Sequence, residues 1–127
     1  MSAEHKAWVE YADENLEIAR LALDRGYCNA CLQNVQQAVE KYLKAVLMFQ
    51  RNEFPRTHSI EMLVQKLAAN SMDISISEEE TELLDSVYIP SKYPLGSALP
   101  DFSPDGDTCN RCLDIAGRVR DSIMALL

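Results

Sequence analysis

The longest uninterrupted amphipathic pattern in the chain runs from Tyr27 to Gln50 and contains neither glycine nor proline. Its apolar side chains recur three or four positions apart, as on one buried face of a helix. These positions are Cys31, Val35, Ala38, Val39, Tyr42, Val46, Leu47 and Phe49. Gln33, Gln37, Lys41 and Lys44 fall on the other face, which the pattern predicts to be solvated. We therefore predict a core helix about 35 Å long at the centre of the fold.

An earlier helical pattern extends from about Glu4 to Arg25, with acidic residues between the apolar ones. Gly26 follows it and tolerates the left-handed conformation found at many helix C-termini. The sequence therefore predicts two antiparallel helices joined by a tight turn.

Three more helices are predicted after Pro55, which lacks an N–H and ends the central helix at about residues 51–53. Thr57 or Ser59 can cap the next helix. Ser77 and Glu80 have the spacing of a capping box, which marks the start of a shorter helix. The predicted bounds are about 57–69, about 77–87, and from 107 or 108 to the end of the chain.

The segment from Tyr88 to Asp107 contains four of the five prolines in the chain. This composition predicts a long irregular loop, and loops of that length inside a compact domain are often functional. The fold class predicted from these patterns is all-α, with a single domain over residues 1–127. Its expected architecture is an up-and-down four-helix bundle with an extra short helix and a long Pro-rich loop before the last helix.

Composition limits the location and the ligands of the protein. No apolar run approaches the ~20 residues of a membrane span, and Met1–Lys6 does not resemble a signal peptide. We therefore expect a cytoplasmic protein that does not bind membranes. The formal net charge of −8 opposes non-specific binding to nucleic acid. Any RNA or nucleotide site must therefore be local.

Two Cys-x-x-Cys pairs, Cys28 with Cys31 and Cys109 with Cys112, have a spacing seen in zinc sites. Each pair lies near the start of a predicted helix, and an up-and-down bundle places those two starts at the same end. The long separation of the pairs is unlike a compact zinc module, and cysteine is a common small core residue. We therefore predict buried thiols, with no metal and no cofactor.

Three motifs occur in a characteristic order along the chain. QQAVEKYLKAVL follows GYCNAC, PRTHSIEMLVQKL comes next, and SKYPLGSALPD lies in the late loop. Together they resemble the HEPN domain, named for higher eukaryotes and prokaryotes nucleotide-binding. The resemblance spans nearly the whole chain and implies a helical bundle that forms a homodimer.

The resemblance to the HEPN domain implies one of two functions. The first is a module that binds a partner, RNA or a nucleotide, in a toxin–antitoxin-like pair with a minimal nucleotidyltransferase. The second is a metal-independent ribonuclease toxin.

The ribonuclease branch of that family carries an arginine and a later histidine with four to six residues between them, often with a polar residue directly after the arginine. Arg51, Asn52 and His58 match this pattern as candidate catalytic residues. A histidine can exchange a proton with a ribose 2′-OH, and a guanidinium can offset charge on the scissile phosphate. Pro55 lies inside the spacing. In the alternative interpretation, His58 starts the third helix and Arg51 is a solvated charge.

Arg56, Lys92 and Tyr93 are candidate contacts to RNA or a nucleotide. Arg56 is next to the histidine turn but is equally compatible with a plain surface charge. Lys92 lies directly before the Tyr-Pro motif, where many members of the resembled family have arginine.

Overall fold

Five α-helices make up the part of the chain that the computed structural model describes, which is residues 3–51, 55–92 and 104–127. They are α1 (Ala3–Asp24), α2 (Cys28–Arg51), α3 (Ile60–Ala69), α4 (Glu78–Lys92) and α5 (Gly106–Leu126). This part of the chain contains no strand, so the predicted all-α class is confirmed. None of its helices is both long enough and apolar enough to cross a membrane.

Helix α2 lies at the centre and contacts each of the other four helices. Its predicted apolar face is buried except at Phe49, and Val35, Tyr42 and Leu47 have no exposed surface. Each fully buried side chain of this kind contributes roughly 2 kcal/mol of hydrophobic stabilisation. The core therefore forms around this one helix, as the longest amphipathic pattern predicts.

The turn between α1 and α2 depends on Gly26, whose φ angle is +76°. The Gly26 N–H donates to the Leu23 carbonyl at 2.9 Å, and the Tyr27 N–H donates to the Ala22 carbonyl at 2.8 Å. These two bonds form a Schellman motif, which satisfies the last carbonyls of α1. The predicted tight turn at glycine is therefore confirmed.

Helix α3 begins with two caps. Ser59 is the N-cap residue, and its hydroxyl accepts from the Met62 N–H at 3.2 Å. The carboxylate of Asp85, on α4, accepts from the N–H groups of Ile60 and Glu61 at 2.8 and 3.1 Å. A carboxylate at a helix N-terminus is favourable because it meets unpaired N–H groups and the positive end of the helix dipole. This capping fixes the turn that contains His58.

The predicted capping box at the start of α4 is present. The Ser77 N–H donates to Glu80 at 2.9 Å, and the Glu80 N–H donates to the Ser77 hydroxyl at 3.1 Å. Arg118 of α5 also binds both oxygens of Glu80, at 2.8 and 2.6 Å. The hydrogen bond from Arg118 is the main reason that the pKa of Glu80 falls to about 2, from an ordinary value of 4.5.

Replacing Glu80 with glutamine should lower the free energy of unfolding by about 1 kcal/mol at pH 7, because Arg118 is partly solvated and its ion pair is screened. A carboxyl group whose pKa is lower in the folded state than in the unfolded state stabilises the protein at any pH above the unfolded-state pKa. That stabilisation is lost as the pH falls towards the folded-state pKa. The difference between wild type and Glu80→Gln should therefore shrink between pH 4.5 and pH 2. Urea unfolding over this range measures it, with the exposed Glu82→Gln as control. If the difference in free energy of unfolding between wild type and Glu80→Gln did not change with pH, the ion pair of Glu80 with Arg118 would not be its cause.

Helix α4 is longer than predicted. It continues to Lys92, whereas the sequence patterns placed its end near Val87 and an irregular loop from Tyr88 onwards. Pro90 did not end the helix because its fixed φ is compatible with helical geometry, and only one backbone hydrogen bond is lost. The last helix starts at Gly106, slightly before the predicted start, because Asp105 accepts from the Thr108 N–H at 2.8 Å.

Two side chains of α2 do not lie where its pattern placed them. Lys44 was predicted on the solvated face but is only 3 % exposed, because other helices also cover this side of α2. Phe49 was predicted to be buried but is 37 % exposed, and its ring has an edge-on contact with His5. Both differences depend on tertiary packing, which helical spacing does not specify.

The four cysteines are thiols, and three of them (Cys31, Cys109 and Cys112) are fully buried, which confirms the core interpretation. The two pairs do meet at the starts of α2 and α5, where the Cys109 thiol donates to the Cys28 carbonyl at 3.7 Å. Burial raises the pKa of Cys109, and it raises the pKa of Cys112 to about 11. Among the described residues, no group of three or more His, Cys, Asp or Glu side chains is arranged to hold a metal ion.

Candidate functional site

A stripe of polar side chains lies inside the otherwise apolar core of α2. Gln36, Glu40 and Lys44 are 0 %, 5 % and 3 % exposed. Residues four positions apart lie above one another on a helix, so these three form one row. A buried row of this kind is costly unless every polar group has a partner. The hydrogen-bond and ion-pair partners of these three side chains therefore indicate the role of the row.

Glu40 is at the centre of these contacts. One of its carboxylate oxygens, Oε2, accepts from the Lys44 ammonium at 3.0 Å. The other, Oε1, lies 3.0 Å from Nδ1 of His58 and 3.4 Å from Nε2 of Gln36. In the described part of the chain, no buried side-chain nitrogen or oxygen lacks a hydrogen-bond partner. The buried carboxylate is thus compensated by one buried cation and directed towards one histidine.

His58 is fixed at two points, although it lies in the loop before α3. Its backbone carbonyl accepts from Gln36 Nε2 at 2.9 Å, and its ring contacts Glu40 through Nδ1. A carboxylate can only accept, so Nδ1 carries the hydrogen of this bond. In the neutral ring the other nitrogen, Nε2, is then unprotonated and can accept a proton. The side chain is 66 % exposed, so the ring is both oriented and accessible to a ligand.

The sequence profile of the HEPN domain matches residues 5–125. The chain belongs to the HEPN family. Two solved structures are similar to it over almost their whole length. TT1696 from Thermus thermophilus is 27 % identical, with 99 % of this chain and 100 % of that chain covered and a TM-score of 0.78. ST0689, described as an archaeal HEPN homologue, is 25 % identical, with 95 % of each chain covered and a TM-score of 0.68. A search of curated proteins gave no match.

The structure of this HEPN protein places the predicted site residues in different regions. Arg51 is the last residue of α2, and Lys92 is the last residue of α4. Arg56 is exposed and lies two residues before His58 in the same loop. Asn52 and Tyr93 lie outside the described residues. The roles predicted for these five residues stay predictions.

Sequence reasoning gave no role in the site to Gln36 or Glu40, and it considered Lys44 only as a nucleotide contact together with Lys41 and the Tyr93 loop. The signal that could have found them is the repeat of polar side chains every four residues, on a helix whose neighbouring positions are apolar. The sequence placed Lys44 on the solvated face because helical spacing does not show that the row is covered. In this HEPN protein the row instead connects the core to the histidine loop.

A second polar network joins α1, α2 and α5 and has a structural role. The hydroxyl of the fully buried Tyr42 donates to Asp13, and Arg120 Nε donates to the same carboxylate at 2.8 Å. Burial opposes the charge on Asp13, but the hydrogen bonds from Arg120 and Tyr42 outweigh it and lower the pKa of Asp13. Burial and the nearby carboxylate raise the pKa of Tyr42. This network of the HEPN protein is separate from the row of Gln36, Glu40 and Lys44.

Proposed function

We propose that this HEPN protein cleaves RNA without a metal ion, with His58 as the group that removes a proton from a ribose 2′-OH. The observation that carries the proposal is the contact of His58 Nδ1 with the buried Glu40 carboxylate, combined with the exposure of the ring. The 2′-oxygen then attacks the adjacent phosphorus, the bond from phosphorus to the 5′-oxygen breaks, and the leaving 5′-oxygen takes up a proton from water. The products are a 2′,3′-cyclic phosphate and a 5′-hydroxyl end.

Glu40 supports this chemistry in two ways. It holds the ring in the tautomer whose Nε2 accepts a proton, and its negative charge stabilises the imidazolium that forms. The Lys44 ammonium pairs with this carboxylate at 3.0 Å and fixes its position in the core. Because Glu40 is only 5 % exposed, it acts through His58 and does not contact RNA itself. We therefore assign Glu40 as a positioning residue.

Positive charge for the phosphate comes from arginine in this proposal. Arg56 is exposed on the loop of His58, and Arg51 ends the helix that precedes this loop. A guanidinium can bind two phosphate oxygens at once and offset the charge that develops during attack. Asn52, Lys92 and Tyr93 are proposed as further contacts to the RNA. The two arginines would supply positive charge for RNA binding despite the acidic character of the whole protein.

The proposal is tested with purified protein and a short RNA in excess EDTA. We expect cleavage that leaves a 2′,3′-cyclic phosphate, identified by mass spectrometry of the fragments. An RNA of the same sequence with 2′-O-methyl riboses is the control and should remain intact, because its 2′-oxygen cannot attack. Cleavage of the methylated RNA would contradict the proposed reaction, as would cleavage that requires added metal.

A second candidate function is a non-catalytic module that binds RNA, a nucleotide or a minimal nucleotidyltransferase in a toxin–antitoxin-like pair. The net charge of −8 favours a protein partner over nucleic acid. The two bonds of His58 to α2 would then serve only to fix the loop. Expression of the protein alone distinguishes the two functions. A ribonuclease toxin should stop growth and degrade RNA, whereas a binding module should do neither.

We further expect a homodimer, which would bring two His58 loops and their arginines together. Exposed apolar side chains support it, including Phe49 near the end of α2 and Tyr11 on α1. Light scattering at micromolar concentration should give twice the chain mass of 14.3 kDa. Phe49→Asp should shift the protein towards monomer by placing a charge in the interface. The matched control is Tyr27→Asp, at the other end of α2. A wild-type protein that is monomeric at this concentration would rule out the dimer.

A further inference from the structure

A groove runs between α1 and α5, which contact each other only slightly although both pack on α2. It consists of two adjoining clefts with volumes of about 490 and 340 Å³. Arg20 lines both clefts, so the two adjoin at this side chain. All lining residues belong to α1 or α5, and none comes from the loop that contains His58. We call this feature the α1–α5 groove.

The α1–α5 groove is open and has apolar side chains at its base, although polar surface predominates in its lining. Leu16 and Leu113 line it and are largely buried, at 3 % and 9 % exposure. Gly117 of α5 also lines the groove, and a Cβ added at this glycine would have no atom within 4 Å. The same two helices carry exposed apolar side chains, since Leu21 of α1 is 58 % exposed and Met124 of α5 is 39 % exposed. The groove therefore has space for an apolar side chain and apolar surface to receive it.

The edges of the α1–α5 groove are acidic. Four exposed carboxylates line it, namely Glu17, Asp24, Asp114 and Asp121. The carboxylate of Asp13 is also present, but Arg120 pairs with it at 2.8 Å. Arg20 also lines the groove and offsets one of these four negative charges. The excess is therefore three negative charges (four minus one). Such a surface repels RNA and attracts a cationic partner.

We propose that the α1–α5 groove binds a basic amphipathic helix of a partner protein. Residues Asn110 to Asp121 of α5 border the groove over about 16 Å, which equals three turns of a bound helix. Lysine or arginine side chains of that helix contact the acidic edges, and an apolar side chain between them enters above Gly117. This is the helix-in-groove mode of recognition, with charge complementarity selecting a basic helix.

Binding is measured by fluorescence anisotropy with a labelled 14-residue peptide of leucine and lysine at helical spacing. The test variant is Glu17→Gln/Asp114→Asn/Asp121→Asn. The matched control is Glu78→Gln/Glu79→Gln/Glu82→Gln, which removes the same charge from exposed positions on α4. We expect the groove variant to bind about tenfold more weakly and the control to stay within about twofold of wild type. Arg20→Gln should bind about threefold more tightly, because it removes a repulsive charge.

The shape of the groove is tested separately with Gly117→Leu, which fills the open base. Leucine favours a helix more than glycine does, so the variant should remain folded, as circular dichroism can show. We expect loss of peptide binding by at least about tenfold, since the apolar anchor no longer fits. Equal weakening by the groove and control triple variants would show only general charge attraction and would overturn the proposal. Unchanged binding by a folded Gly117→Leu variant would also overturn it.

Discussion

Cleavage of RNA is expected to fall by about 10²–10⁴-fold when His58 is replaced by alanine, which is the usual contribution of a positioned acid–base group. The loss follows from removal of the ring nitrogen that accepts the 2′-OH proton. The free energy of unfolding should change by no more than about 1 kcal/mol, because the side chain is mostly solvated. The measurements are initial cleavage rates in EDTA and urea unfolding of the same samples.

His5 provides the matched control, since it is the only other histidine in the sequence. His5→Ala should cleave RNA as wild type does. Arg56→Ala should retain part of the activity, because it removes one phosphate contact and leaves the proton acceptor in place. Wild-type rates in a folded His58→Ala variant would show that the histidine only fixes the loop before α3. The binding-module function would then be preferred.

Replacing Glu40 with glutamine should destabilise the protein by about 3 kcal/mol, because the buried Lys44 loses the carboxylate that compensates its charge. The change is isosteric, so the loss cannot be ascribed to a cavity. RNA cleavage should also decrease, since a neutral amide stabilises the imidazolium of His58 much less than a carboxylate does. Stability is measured by urea unfolding, and cleavage is measured without urea at a temperature where the variant remains folded.

Glu14→Gln is the control for stability because Glu14 is exposed on α1. The double variant Glu40→Leu/Lys44→Met should recover most of the lost stability, because apolar side chains can replace a buried ion pair with little cost. It should not recover cleavage, as His58 still lacks its carboxylate. A Glu40→Gln variant as stable as the Glu14 control would show that the ion pair of Glu40 and Lys44 does not hold the core together.

The sequence predicted most accurately the features that depend only on residues close together in the chain. Gly26 was sufficient to place the turn between α1 and α2, and Ser77 with Glu80 was sufficient to start α4, because both motifs are satisfied within a few residues. Pro90 misled the prediction of the end of α4, since the same residue is compatible with a loop or with the last turns of a helix. Local rules alone do not distinguish these two outcomes.

The candidate site was only partly predictable for a different reason. His58 could be selected from its spacing to Arg51 and from the family resemblance. Its contact with Glu40 joins residues 18 positions apart and depends on how the loop returns to α2. The burial of Lys44 likewise depends on which helices cover α2. Sequence periodicity shows which residues share a face of a helix, but it does not show what covers that face.

The central position of α2 has a consequence for the order in which parts of the protein open. Amide hydrogens of α2 should exchange with deuterium only through global unfolding, because opening this helix breaks its packing against all four others. Helices α3 and α4 contact each other and α2, and α4 also pairs with α5 through Glu80 and Arg118. They can therefore separate from α2 while α1, α2 and α5 stay together, provided that this ion pair also breaks. Such a partial opening would carry His58 away from Glu40. The fraction of time for which the His58 ring contacts Glu40 would then depend on the local stability of α3 and α4.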